Sequence, residues 1–192
     1  MQVVAGSARR IQLKTPPGLD TRPTSGQIKE TLFNILQPRI QGCRFLDLFA
    51  GSGAIGIEAL SRGARAAVFV DLSRQAQLCI KDNLARTRLA DRARLIPREA
   101  QAAVKQLGAE KGEPFDMIFL DPPYDGGCEE QVLKEILAAD LLAEGGWIII
   151  EARRERNLDI PAALGLEIFR EKEYKNNKHI FIRRSESYAS ES

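Results

Sequence analysis

Asp47-Leu48-Phe49-Ala50-Gly51-Ser52-Gly53-Ala54-Ile55-Gly56 is the stretch that decides how the chain folds. Its front end closes an apolar run from Phe45 to Phe49 and reads as a buried strand. Its back end opens a stretch of helical spacing, Ala54 to Arg62, that stops at Gly63. Between the two, glycines let the backbone approach a ligand closely, and the helix start offers unpaired N–H groups. Gly51, Gly53 and Gly56 satisfy G-x-G-x-x-G, a pattern that alone suggests a dinucleotide. Asp47 shifts that reading. A carboxylate before the loop repels a pyrophosphate and pairs instead with a cationic ligand, such as an amino acid ammonium.

Outward from this loop, strand-like and helical runs alternate. Ala67–Asp71, Arg94–Ile96, Phe115–Leu120 and Trp147–Ile150 read as further strands, the last set up by a turn at Gly145-Gly146. Helices are expected at about Ser73–Arg88, Ala100–Leu107 and Glu129–Ala138. Continuous apolar strands separated by helices mean βαβ units and a parallel sheet covered on both faces. Leu166–Glu173 and His179–Arg184 flank Lys175-Asn176-Asn177-Lys178 and read as a closing antiparallel hairpin. At the other end, Met1–Leu13 suggests a short hairpin. Pro16-Pro17-Gly18 breaks it from an amphipathic helix, Thr24–Leu36, with Thr24 or Ser25 as N-cap. The whole reads as an α/β, Rossmann-like fold: a seven-stranded, mostly parallel sheet with a C-terminal antiparallel hairpin, plus a small N-terminal hairpin and helix. Residues 1–184 are expected to be one domain, a 1–40 extension on a 41–184 core, with 185–192 a disordered tail.

Composition sets outer bounds. A chain of 192 residues can bury about 70% of its unfolded surface and needs no disulfide or metal staple. Cys43, Cys79 and Cys128 show no C-x-x-C spacing and read as reduced. His179 is the one histidine, so neither a metal site nor a Ser-His-Asp triad is expected. No apolar run approaches membrane-spanning length, and Met1–Arg10 lacks the apolar segment of a signal peptide, so no membrane partner and a cytoplasmic location are expected. Charge is uneven: residues 1–40 hold six basic and two acidic side chains, residues 151–184 nine and six, and residues 41–150 thirteen and sixteen. Basic ends around an acidic middle suit a polyanion docking on the flanks.

Three sites fall at the carboxyl edge of the expected sheet, where open α/β folds bind ligands. The glycine loop with Asp47 is the first. Asp71, 20 residues past Gly51, is placed to accept hydrogen bonds from ribose hydroxyls. Glu99 after the third strand is either a partner for an adenine amino group or a helix N-terminal acid favoured by the dipole. Asp121-Pro122-Pro123-Tyr124, straight after the fourth strand, is the sharpest. Two prolines fix φ and remove two N–H donors, leaving carbonyls as acceptors. Asp121 and the Pro122 carbonyl can both accept from one exocyclic NH₂, pulling its nitrogen out of conjugation, while Tyr124 offers a face for a stacked base.

Together these residues resemble the class I methyltransferases that use S-adenosylmethionine (SAM). Within that class the chain is similar to the RsmD family, which methylates guanine N2 in small-subunit (16S) ribosomal RNA. The family marks are Val4-Ala5-Gly6, Arg22-Pro23-Thr24, Lys29-Glu30-Thr31-Leu32-Phe33-Asn34, the glycine loop and Asp121–Tyr124. The resemblance implies a SAM site of Asp47, Phe49, Ala50, Gly51, Ser52, Gly53, Asp71, Leu72, Glu99, Ala100 and Asp121. It implies a target-base site of Asp121, Pro122, Pro123 and Tyr124. RNA contacts are expected at Arg9, Arg10, Arg22, Thr24, Lys175 and Lys178. The expected partner is 16S rRNA in an assembled or assembling small subunit, met by a monomer. Two positions depart from the family pattern: Ser73 stands where a second acid often follows Asp71, and Arg98 replaces a glycine before Glu99.

The implied reaction needs positioning and desolvation rather than a strong base, which suits a chain with one histidine. The chief rival is a DNA amino methyltransferase acting on adenine N6 or cytosine N4, which shares Asp121–Tyr124. Only ordinary βα units fill the 70 residues between Gly51 and Asp121, leaving no room for a sequence-reading domain. A protein-amide methyltransferase would tend to carry Asn at position 121, and a non-catalytic RNA-docking module would not need Asp121 and Tyr124.

Overall fold

The computed structural model describes residues 1–16, 26–122, 129–160 and 162–185. Two compact units, Met1–Ala100 and Gln101–Ser192, divide it.

In the first unit, β1 (Arg44–Leu48), β2 (Ala66–Val70) and β3 (Ala93–Ile96) pair in parallel, with β2 between the other two. Strands β1 and β2 are buried from their second residue onward, which is why, Asp47 apart, those residues are apolar without alternation. Helix α1 spans Gly26–Ile40, α2 Ala54–Ser61 and α3 Arg74–Thr87. The N-cap residues expected for α1 lie outside the described residues. That helix runs on through Pro38, beyond the expected stop at Leu36. Helix α3 buries Ala76, Cys79, Ile80, Asn83, Leu84 and Thr87, one stripe at i, i+3, i+4 spacing. Ser73, the residue that departs from the family pattern, is its N-cap and accepts from Ala76 N–H.

In the second unit, α4 (Ala100–Ala109) and α5 (Glu129–Ala138) accompany β4 (Phe115–Leu120), β5 (Leu142–Arg153), β6 (Leu166–Glu173) and β7 (Asn177–Arg184). Strands β4 and β5 are parallel, while β5–β7 and β6–β7 are antiparallel. The seven strands make one mixed sheet of order β3-β2-β1-β4-β5-β7-β6, with the antiparallel hairpin at its end. Two expectations need correction. Gly145-Gly146 is no turn before β5 but a bulge inside it: Leu142 pairs with Phe115 and Trp147 with Met117, so residues 143–146 arch out. The N-terminal hairpin is a single antiparallel bridge, Gln2 to Gln12, rather than two strands.

What ties that N-terminal segment down is helix α2. Every residue of α2 is buried, so its Glu58 and Ser61 must find partners. Glu58 accepts from Val4 N–H (2.8 Å) and Ala5 N–H (3.0 Å), and pairs with Lys29 Nζ (3.0 Å) and Arg62 Nε (2.8 Å). Lys29 and Glu58 side chains are both fully buried, and burial holds the Lys29 ammonium below its ordinary value against the pull of Glu58. Lys29 also donates to Gln2 O at 2.7 Å. Ser61 Oγ accepts from Ala8 N–H and donates to Ala5 O. Gly6 (φ +84°) passes so close that a Cβ there would sit 1.8 Å from Ser61 O. Val4-Ala5-Gly6 and Lys29, far apart in sequence, therefore answer to one helix. Glu58→Ala leaves two backbone N–H groups and a buried ammonium without their acceptor. It is expected to cost about 3–5 kcal/mol in urea unfolding; a loss below about 1 kcal/mol would contradict the role.

Candidate active site

The glycine loop of the first unit is held by carboxylates from the ends of two strands. After β1 the chain turns through Phe49 (φ 64°), Gly51 (φ 55°) and Gly53 (φ 76°), all left-handed. Gly53 is the N-cap of α2 and contributes no side-chain cap. Asp47, only 2% exposed, supplies one from the strand: its Oδ2 accepts from Gly56 N–H at 2.9 Å. Burial pushes the Asp47 carboxyl up to about 7; the Gly56 bond pulls it back and the Asp71 charge adds to the rise. A cation at Asp47 would relieve that burial cost, which is the chemistry a SAM ammonium offers.

Asp71, just past β2, grips the same loop. Its Oδ2 accepts from Gly51 N–H and its Oδ1 from Ser73 N–H, both at 2.8 Å. A carboxylate has about four lone-pair sites, so this leaves capacity for ribose hydroxyls. A Cβ at Gly51 would meet nothing within 4 Å, so the loop has open space beside it for a ligand. Gly56 differs: a Cβ there would lie 2.4 Å from the Phe69 ring, so this glycine serves helix-on-strand packing.

Asn83, absent from the sequence-derived site, is the third hold. Fully buried on α3, it donates to Ser52 O (2.9 Å) and Lys14 O (3.0 Å), and accepts from Lys14 N–H (2.8 Å). A lone amide on an otherwise apolar stripe was its one sequence signal. Of the remaining expected contacts, Phe49 and Ser52 are half-buried within the loop and Ala50 is buried. Leu72 is 69% exposed beside Asp71. Glu99 is exposed immediately before α4, whose first residue, Ala100, is buried.

In the second unit, Asp121 and Pro122 leave the carboxyl end of β4, Asp121 half-buried and Pro122 buried. Pro123, Tyr124, Arg22, Thr24 and Cys128 lie outside the described residues. Arg9 and Arg10 are exposed on the N-terminal turn, and Lys175 on the β6–β7 turn. Lys178 needs correction as an RNA contact. It is 4% exposed, with Nζ 3.1 Å from both Glu171 oxygens, and serves the hairpin. Among the described residues, no group of three or more His, Cys, Asp or Glu side chains could hold a metal ion. Among the same described residues, no helix is long and apolar enough to cross a membrane.

A mixed seven-stranded sheet with a carboxylate-held glycine loop after β1 and an acid after β2 is the Rossmann-like fold of class I methyltransferases. Comparison with known proteins narrows this. The family model described as "Conserved hypothetical protein 95" matches residues 1–183. The chain is 37% identical over 152 residues to "Ribosomal RNA small subunit methyltransferase D" of Escherichia coli K12, covering 79% of this chain and 71% of that one. It is 39% identical over 177 residues to a Bacillus subtilis protein provisionally named rRNA methyltransferase YlbH, covering 90% and 92%. The structure of an Escherichia coli protein with the provisional name methyltransferase yhhF superposes with a TM-score of 0.81 at 34% identity, over 96% of this chain and 98% of that one. The chain belongs to this family, the RsmD methyltransferases.

The state of Asp47 is testable without ligand. Its carboxyl titrates near 7 when folded and near 3.8 when unfolded, so folding favours the protonated form. The stability this contributes is complete below about pH 4 and is lost as pH rises through about 7. Asp47→Asn keeps an acceptor for Gly56 N–H and does not ionise. Its Tm relative to wild type should therefore climb between about pH 5 and about pH 8. A difference independent of pH would show that Asp47 is not held neutral by burial.

Proposed function

We propose that this protein transfers a methyl group from SAM to the exocyclic N2 amine of one guanine in 16S rRNA, within an assembled or assembling small ribosomal subunit. As a member of the RsmD family it is a SAM-dependent rRNA methyltransferase. The observation that carries the finer reading is Asp121-Pro122 at the carboxyl end of β4, two acceptors suited to an amine bearing two hydrogens.

SAM, when bound, supplies a methyl group already activated on a sulfonium. The residues that would hold it are Asp47 for the ammonium, the backbone of Gly51–Gly53 for the methionine part, and Asp71 for the ribose. Leu72 and Glu99 would sit at the adenine end. Asp121 and the Pro122 carbonyl accept the two amine hydrogens and turn the nitrogen lone pair outward; Tyr124 stacks on the base. No strong base is required, because the methylated nitrogen is acidic and loses its proton readily. A guanine inside a helix cannot reach such a site, so the target is single-stranded or flipped. Arg9, Arg10 and Lys175, with Arg22 and Thr24, are candidates for holding phosphates. A chain this small has little surface for reading a long RNA, which favours a protein-containing particle as substrate, met by a cytoplasmic monomer.

The test is transfer of labelled methyl from SAM to small subunits, naked small-subunit RNA and duplex DNA, all lacking prior methylation. Label recovered as N2-methylguanine, most from the particle, is expected; label in DNA alone would overturn the reading. Asp121→Ala should lower turnover about a hundredfold while SAM affinity by calorimetry stays within a few fold. An equal loss in SAM binding would contradict the division of labour.

A further inference from the structure

The net charge of +2 conceals a division between the two compact units. Met1–Ala100 holds 16 basic and 8 acidic side chains, whereas Gln101–Ser192 holds 12 and 18. The first unit is therefore +8 and the second −6, which together return the +2 of the chain. The middle of the sequence is not uniformly acidic either. Residues 74–98, inside the stretch where acids prevail, hold seven basic and two acidic side chains.

Helix α3 arranges part of this charge as a ridge. Opposite its buried stripe runs a line of Arg74, Leu78, Lys81 and Ala85, all exposed. Seven residues are almost two helical turns, so Arg74 and Lys81 stand in line about 10 Å apart. Arg88, the exposed C-cap, follows another seven residues on and extends the line to about 20 Å. The one acid of the helix, Asp82, is engaged by Lys14. Residues 1–14, joined to α3 by that pair and by Asn83, add Arg9 and Arg10 and no acid. Solubility asks for both signs interspersed, not for a line of one sign along one helix. The line carries no aromatic side chain, so it can hold phosphates but offers no ring on which a base could stack.

Building on the rRNA reading above, we propose that the α3 ridge of Arg74, Lys81 and Arg88 is a docking surface for the sugar–phosphate backbone of the substrate RNA. It takes phosphates whatever bases they carry, and so supplies affinity and orientation while the target nucleotide is chosen elsewhere. Each phosphate neutralised releases counterions, so the ridge makes binding depend on salt. Among polyanions RNA is the partner that fits, because the chain belongs to a family of rRNA methyltransferases.

The test compares two triple variants that remove the same charge. Arg74→Gln, Lys81→Gln and Arg88→Asn clear the ridge; Asn tolerates the left-handed backbone at position 88 (φ 57°). Lys105→Gln, Lys134→Gln and Lys111→Asn remove three exposed lysines from the second unit, the last again at a left-handed position (φ 47°). Binding to naked 16S rRNA is titrated across salt concentrations, and methyl transfer is followed on small subunits lacking prior methylation. The ridge variant should bind naked RNA at least about tenfold more weakly at about 0.1 M salt. The slope of its log affinity against log salt should be shallower by about two to three. Its KM for the particle should rise, while kcat and SAM affinity stay within about twofold and the second-unit variant matches wild type. Equal losses in both variants would overturn the proposal, because net charge and not the ridge would then be responsible; so would an unchanged slope. A loss seen on particles but not on naked RNA would assign the ridge to a protein partner and overturn it too. A wild type that labels no ribosomal RNA would contradict the function itself, while the salt slope would still decide the ridge.

Discussion

Two carboxylates lent by strand ends hold the loop on which the first unit depends. The chain must leave β1, turn through left-handed backbone at Phe49, Gly51 and Gly53, and start α2 with no side-chain cap. Asp47 takes the Gly56 N–H and Asp71 the Gly51 N–H, so the same acids expected to meet the ligand also build its seat. The loop is therefore held by hydrogen bonds to the chain's own carboxylates. The cost is an acid buried at 2% exposure whose charge has no cationic partner of its own in the loop. On the proposed reading, a cationic ligand would offset that cost.

The N-terminal segment is bound into the same arrangement from behind. Glu58 secures Val4, Ala5 and Lys29 to α2, the helix that begins at the loop. Asn83 joins Lys14 to the Ser52 carbonyl. Residues 1–14, which carry the exposed Arg9 and Arg10, are thereby linked to the glycine loop through the Asn83 amide.

Much of this was readable in advance where apolar periodicity decides the structure. β4, α5 and β6 fall on the expected residues, because each is an apolar or amphipathic run bounded by breakers. The misreadings share one cause, the absence of sequence partners from local view. Gly145-Gly146 looks like a turn, but β4 supplies pairing on both sides and turns it into a bulge. Asn177 and Lys178 look like turn residues, yet β7 begins at Asn177, because Glu151 and Glu171 accept from their side chains. Lys29, Glu58, Asn83 and His179 were each a polar residue on an apolar stripe. Such a residue signals a buried partner without saying which, and those partners lie up to 69 residues away. Asp47, Asp71 and Asp121 were legible because motif spacing set them at strand ends. The pairing of Glu151 with His179 was not, because nothing local joins them.

The central claim, that the buried Asp47 carboxylate awaits the ammonium of SAM, is most directly tested by calorimetry of SAM binding in buffers of different ionisation enthalpy. An acid that titrates near 7 in the free protein is largely protonated at about pH 6.5 and must give up its proton to a cation. The account predicts release of about half a proton or more per SAM at that pH, affinity that rises towards about pH 8, and loss of both effects in Asp47→Asn. Binding with no proton release, and with the same affinity at both pH values, would contradict it.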